Sequence, residues 1–376
     1  MKKRVLFVLI FGVNLILILS LGFQSFAKEN DELPTPDSYV QEVVEDLPDD
    51  IKTHLPQGES YDELAQNIDS GYLLSLSLSF LKRALHSVYT YLVFFLVALL
   101  ISALSERLED AFGNKDTGLA SYISTLLIAY EAFSIVYVLF QEVAEYCKQI
   151  SAYMLTYTSV MGSVSLLGGG VMQSAKASMA LSVTVSFLGS LCSILLLPIV
   201  RMSFATSVTT VVSKRINLNE LSSFIRGFFT FLIGFVSLVS IVAITFQTML
   251  AQAEDTLAAR SIRFAASSSI PIVGNAVGDS VRTMGAAITV IQKSVGTVGA
   301  AGLIIMTLYP LSVLFSAKIA FSLSHTIAGL FNIDSASKLL SDVSHIINML
   351  MATVSILSVL YIFVVALFTS TAIPIA

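Results

Sequence analysis

Ser178-Met-Ala-Leu-Ser-Val-Thr-Val-Ser-Phe-Leu-Gly-Ser-Leu-Cys-Ser-Ile-Leu-Leu-Leu-Pro-Ile-Val200 runs without one charged side chain. At about 1.5 Å per residue, such a run crosses a hydrocarbon core of about 30 Å as a single α-helix. A barrel strand would need only about ten residues, and they would alternate in character. Five further stretches read the same way: roughly 87–104, 118–140, 227–250, 294–317 and 344–370. Two weaker ones, 150–172 and 264–278, are rich in Ser and Gly and read as re-entrant hairpins, broken helices or full spans. Segments 202–213 and 319–333 are too short to cross unless they join a neighbour. The expected fold is therefore all-α: a polytopic helical membrane protein with about 6–8 transmembrane helices.

Composition points the same way. Of 376 residues, 55% are hydrophobic and 12% charged, against roughly 25% charged in ordinary soluble domains. The mean hydropathy of +0.82 leaves too little polar surface to cover a water-soluble core. Charge is unevenly spread. Thirteen of the 26 carboxylates fall between Glu29 and Asp69, a stretch with Lys52 as its one basic residue. No basic stripe stands out from the membrane-flanking charges, so nucleic acid is not an expected partner. Cys147 and Cys192 are too few for a disulfide framework or a four-thiolate metal site, and Cys192 reads as a small core residue.

Residues 1–27 read as a secretory signal: Lys2-Lys3-Arg4, an apolar stretch from Val5 to Gly22, then Ser25-Phe26-Ala27 as a small-x-small cleavage site. The apolar stretch is also long enough for an uncleaved anchor. Residues 28–86 then form an acidic extracytoplasmic segment, read as a solvated spacer in preference to a docking surface. Ser60 and Glu63 make a capping box for a short helix from Tyr61 to about Ile68. The segment ends in an amphipathic stretch, Gly71 to Ser87, which alternates from Leu74 to Phe80 as a strand would, yet lies beside a span as an interfacial helix would. Residues 87–140 make a two-helix membrane region.

The remainder divides into two copies, 141–250 and 251–376. Ser163-Val-Ser-Leu-Leu-Gly168-Gly169-Gly170-Val-Met-Gln-Ser-Ala-Lys176 lies over Ser269-Ile-Pro271-Ile-Val-Gly274-Asn275-Ala-Val-Gly278-Asp279-Ser-Val-Arg282. Each is followed by a span with a late proline (Pro198, Pro310), an Asn-bearing connector (Asn217, Asn332) and a long closing span. Paired Gly-interrupted hydrophobic segments point to a substrate or pore site in repeat-built transporters. With two crossings per unit the copies are parallel; with three they are inverted. The Lys and Arg distribution does not decide between them.

Candidate polar-path or helix-break positions are Glu131, Gly168, Gly169, Gly170, Pro271, Gly274, Asn275, Gly278, Asp279 and Arg282. Glu131 sits centrally in a span, where a carboxylate costs about 2.5–3.5 kcal/mol on insertion scales, so it should face a polar interior or a hydrogen-bond partner. Asp279 is placed to cap a helix after the Gly-rich break and to pair with Arg282 at i, i+3. No catalysis is expected: His54, His86, His325 and His345 lack HExxH spacing, and there is no GxxxxGK[ST] loop. No catalytic, cofactor or metal residue is nominated.

The run Ala258-Ala-Arg-Ser-Ile-Arg-Phe-Ala-Ala-Ser-Ser-Ser-Ile-Pro-Ile-Val-Gly-Asn-Ala-Val-Gly-Asp-Ser-Val-Arg-Thr-Met284 resembles the signature of the stage III sporulation protein AE family. The order of signal, acidic outer segment and polytopic region resembles it too. The resemblance implies a multi-pass protein of the mother-cell membrane around the forespore. It further implies membership of a channel or secretion-like assembly needed for forespore development, with a separate ATPase and ring-forming subunits as partners. The bilayer is the surrounding solvent, a homo-oligomer is allowed, and no cofactor or catalytic residue carries over. Two rival readings are an independent secondary transporter of a small solute and a non-conducting membrane scaffold.

Overall fold

The structure, a computed structural model, describes residues 37–55, 70–111, 119–167, 171–212, 218–269 and 274–370. Every element among these residues is a helix. Two short helices, α1 (Asp37–Glu45) and α2 (Asp49–Lys52), precede the long ones: α3 (Ser70–Ala111), α4 (Leu119–Leu167) and α5 (Val171–Leu191). A π-helical turn, Cys192–Leu196, joins α5 to α6 (Leu197–Val212). The chain continues through α7 (Asn219–Ser269), α8 (Gly274–Leu330) and α9 (Asp334–Ser370).

Six stretches of these helices are long and apolar enough to cross a membrane: Leu74–Ser105, Thr125–Ser165, Ser178–Val211, Asn219–Thr245, Ser294–Leu330 and Asp334–Ala366. Each overlaps one of the six spans read from the sequence. The weaker stretches join their neighbours. Residues 150–167 continue α4 without interruption, 202–212 belong to α6, and 319–330 complete α8. Gly168, Gly169, Gly170 and Pro271 lie outside the described residues, as do the signal segment and the Tyr61–Ile68 helix.

The strand-like alternation before the first span resolves as helix. Of Leu74, Leu76, Leu78 and Phe80, α3 buries Leu76 and Phe80 and leaves Leu74 and Leu78 exposed, which is i, i+4 selection. The intervening serines turn their hydroxyls back onto the chain: Ser75 to the Tyr72 carbonyl, Ser77 to Leu74 and Ser79 to Leu76, at 2.7–2.8 Å. A polar residue whose hydroxyl is satisfied locally does not break a helix. Farther along α3, no Asp, Glu, Lys or Arg occurs between Arg83 and Glu106. That interval is about 33 Å long, close to the hydrocarbon thickness.

Contacts between helices set the directions. Phe80 meets Tyr309 and Phe95 meets Phe321, so α3 runs parallel to α8. Tyr146 meets Thr307 while Ser165 meets Gln292, so α4 runs antiparallel to α8. Thr158 pairs with Ser182, and a Cβ at Gly162 would meet Ser178 at 2.5 Å, which makes α5 antiparallel to α4. At the centre stand α8 and α9, with 72% and 67% of their spans buried against 22% for α7. Their connector is closed by Asn332 at φ 58°. Its N–H donates to the Gly329 carbonyl and the Ile333 N–H to Ala328, at 3.2 and 3.0 Å. Those are the two bonds of a Schellman turn, and Asn tolerates the left-handed conformation better than most residues.

Pro198 accounts for the π-turn. It offers no N–H to the carbonyl one turn earlier and its ring crowds that carbonyl, and the helix widens immediately before it. Cys192, which opens this turn, is buried as the sequence suggests. The sequence reading does not foresee that it is disulfide-bonded to Cys147 of α4, with Cα atoms 6.7 Å apart.

The acidic segment departs from the spacer reading over residues 37–55. Val40, Val43, Leu47, Ile51 and Leu55 are all 9% exposed or less, they belong to the hydrophobic core, and Leu47 packs at Gly302 of α8. The reason is an aliphatic stripe at helical spacing set within the acidic composition.

Candidate functional site

The bundle meets along one face of α4. Tyr146, Ile150, Tyr153, Tyr157, Met161 and Val164 recur at steps of four, three, four, four and three, and all are buried. Opposite them, α8 presents Gly299 and Gly302. The missing side chains let the two backbones approach, as small residues do between membrane helices. The tyrosine rings fill the space: a Cβ at Gly299 would lie 2.7 Å from Tyr157 Cδ2, and one at Gly302 would lie 3.0 Å from Tyr153 Cζ.

Hydroxyls knit this seam together. The Tyr146 hydroxyl lies 2.6 Å from Ser358 Oγ and 3.1 Å from Thr307 Oγ1, which are themselves 2.6 Å apart. Three helices, α4, α8 and α9, thus share one triangle. Thr307 also donates to its own Leu303 carbonyl at 2.7 Å. One turn along, Ser151 Oγ is 2.9 Å from the Tyr361 hydroxyl, which donates to the Val185 carbonyl of α5 at 3.1 Å. Tyr153 donates to the Gly299 carbonyl at 3.3 Å. Near the far end of α4, Ser178 donates to the Thr158 carbonyl at 3.0 Å, and Gln292 Nε2 donates to Ser165 Oγ at 3.3 Å. In a water-poor interior such groups must find partners on neighbouring helices. Each pair contributes about 0.6 kcal/mol on average, up to about 1.7.

A second polar feature lies toward the connector end. Arg226 Nη1 of α7 is 3.0 Å from Asp342 Oδ1 of α9, with side chains 27% and 14% exposed. Close by, His325 Nδ1 of α8 is 2.8 Å from the Ser337 carbonyl and 3.0 Å from Ser337 Oγ. These contacts tie α7 and the end of α8 to α9. The residues supply hydroxyls, one ion pair and an imidazole, and the one serine–histidine contact described, Ser337 with His325, shares its ring nitrogen with the Ser337 carbonyl. Among the described residues, no group of three or more His, Cys, Asp or Glu is placed to hold a metal ion.

The positions nominated from the sequence lie elsewhere. Glu131 is half-buried on α4, fifteen residues before Tyr146, or about 22 Å along the helix. It lies within electrostatic reach of Tyr91 on α3 and does not join the seam. Gly274, Asn275, Gly278, Asp279 and Arg282 fall in the first turns of α8, and their side chains lie outside the described residues. Of the nominated positions, Glu131 is thus the one whose side chain is described, and it stands apart from the seam. The tyrosines of α4 and the Gly-x-x-Gly of α8 went unread. Their signal was present in the seven-plus-four spacing of Tyr146, Tyr153 and Tyr157, set among Glu145, Lys148 and Gln149.

No curated protein and no solved structure matches the chain. The family model for stage III sporulation protein AE matches residues 59–372, which takes in all six spans and the whole seam. A chain whose described residues form helices only, six stretches of them long and apolar enough to cross a membrane, and that matches this model over most of its length, belongs to the stage III sporulation protein AE family.

Proposed function

We propose that this sporulation membrane protein is a subunit of a channel or secretion-like assembly between mother cell and forespore, and not a self-sufficient transporter. The observation that carries the choice is the filled seam. Where a transporter of this size would keep a solvated path between repeats, Tyr153 and Tyr157 occupy the space beside Gly302 and Gly299. The Tyr146, Thr307 and Ser358 hydroxyls bond to one another. In this reading the chain sits in the mother-cell membrane around the forespore and its signal places residues 37–55 outside the cytoplasm. It has no catalytic role of its own, and a separate ATPase and ring-forming subunits supply motor and conduit.

The tandem reading belongs with this proposal. The α5–α6 pair with α7, and α8 with α9, each follow a Gly-rich break, and each crosses out and back in the same two directions. That pattern supports parallel copies of two crossings each. The candidate positions Gly168 to Gly170, Pro271, Gly274, Asn275, Gly278, Asp279 and Arg282 then recur as corresponding Gly-rich sequences within the copies 141–250 and 251–376.

The test is mild-detergent purification of a tagged copy from sporulating cells, with crosslinking and identification of co-purifying chains. Recovery of a sporulation ATPase or ring-forming proteins is the expected result. Solute flux by the purified chain alone in liposomes, lost on Glu131→Gln, would overturn the proposal in favour of an independent transporter.

A further inference from the structure

We infer that residues 37–55 are a separable strap that covers the α4/α8 seam at Gly302 and can leave it without unfolding the helical bundle. The inference rests on the packing alone and stands or falls independently of the channel proposal.

The strap is two-faced. Val40, Val43, Leu47, Ile51 and Leu55 point into the bundle, while Glu42, Glu45, Asp46 and Asp49 are exposed to solvent. Its seat is built for close approach. A Cβ at Gly302 would come 3.1 Å from Leu47 Cδ2 and 3.0 Å from Tyr153 Cζ, so strap, α4 and α8 meet at one glycine. At its other end the strap crosses to α3. The Tyr72 hydroxyl donates to the His54 carbonyl, and the His54 ring stands edge-on to Phe80 with centroids 4.9 Å apart. Phe80 and Tyr72 precede Lys82 and Arg83, at the charged end of the α3 span.

The contacts differ in kind from those inside the bundle. Helices α4, α8 and α9 are joined by a hydroxyl triangle and a Schellman turn. The strap's ion pair, Lys52 with Asp49 at 3.1 Å, and its Gln41–Glu45 bond at 2.8 Å are internal to it. Its hold on the bundle is an aliphatic stripe in a groove, with the Tyr72 latch at one end. An element with internal polar bonds and an apolar underside docks as a unit and releases as a unit. Release bares the Leu47 seat at Gly302, beside the Tyr153 hydroxyl.

The test uses the full chain in detergent, with Leu47→Cys as a reporter for a water-soluble maleimide and the parent chain as background. Expected is at least tenfold slower labelling than in the unfolded chain, restored to the unfolded rate by Val43→Glu with Ile51→Glu. Those two changes, and separately deletion of 37–55, should leave the helical circular dichroism and the elution volume of the bundle unchanged. Labelling of Leu47→Cys at the unfolded rate would overturn the inference, because the strap would not be docked. Collapse of the bundle on deletion or on the double change would overturn it equally, because the segment would be core.

Discussion

Replacing Gly299 by alanine adds one methyl group where the structure leaves no room for it. The new Cβ would stand 2.7 Å from Tyr157 Cδ2 and closer still to Cε2, and the Tyr157 side chain is fully buried. The ring has no exposed side to retreat to, so the strain falls on the α4/α8 contact itself. Overpacking of this kind costs about 1–3 kcal/mol, and the gain in helix propensity from Gly to Ala offsets about 1 kcal/mol of it. The expected net loss is about 0–2 kcal/mol, a fall of up to roughly 30-fold in the folded-to-unfolded ratio. Gly234→Ala is the control: nothing lies within 4 Å of a Cβ there, so only the propensity gain of about 0.5–1 kcal/mol applies. The two substitutions should move stability in opposite directions. Unfolding would be followed by far-ultraviolet circular dichroism in one detergent, since the chain has no tryptophan. A second arm isolates the cause. Tyr157→Ala should remove the penalty of Gly299→Ala, whereas Tyr157→Phe should not, because ring carbons and not the hydroxyl make the clash. Equal stability of Gly299→Ala and Gly234→Ala, or full relief by Tyr157→Phe, would refute the reasoning.

Further outcomes follow from other contacts. Arg226→Ala should destabilise by about 1–3 kcal/mol, between the values for exposed and buried pairs, and the exchange Arg226→Asp with Asp342→Arg should recover part of that loss in the same unfolding assay. Asn332→Val should cost about 1–2 kcal/mol because a β-branched residue is strained at φ 58°, while Asn332→Gly should be near neutral; thermal midpoints would separate them. Cys147 and Cys192 should both resist alkylation in unfolded, unreduced protein and both react after reduction, read by mass. Burial raises the Tyr72 phenol above its ordinary 10.0, so its contribution to strap docking should be intact below about pH 10 and lost as pH rises through the higher folded value. Protection of Leu47→Cys across that range would check the direction.

The six spans were legible because a run of about 20 apolar residues has few other fates. The alternation from Leu74 to Phe80 was not, because hydroxyls that bond to their own helix hide their polarity from a pattern count. Which face of each span meets protein was less legible still. Lipid chains are as apolar as leucine, so hydrophobic periodicity does not separate a lipid face from a packing face. Phe231 is 67% exposed on α7, while Phe321 is fully buried on α8, although both sit in apolar runs. What distinguishes the packing face is small residues opposite aromatic ones, the Gly299 and Gly302 pattern against Tyr153 and Tyr157. Glu131 drew attention because a charge in a span is conspicuous. The seam relies on neutral hydroxyls, which are not.

The α8–α9 hairpin stands at the centre of the bundle, yet it is made from the last hundred residues of the chain. Chains are threaded into the membrane from the N-terminus onward, so the centre is synthesised after its surroundings. Until residues 294–366 arrive, Tyr146, Ser151 and Tyr153 on α4 have no α8 or α9 partner. Biogenesis therefore has a waiting stage, in which nascent helices are exposed to membrane chaperones and quality-control proteases. Translation that stops within α8 would remove the keystone and not an edge, and the product should be degraded instead of surviving as a shortened protein.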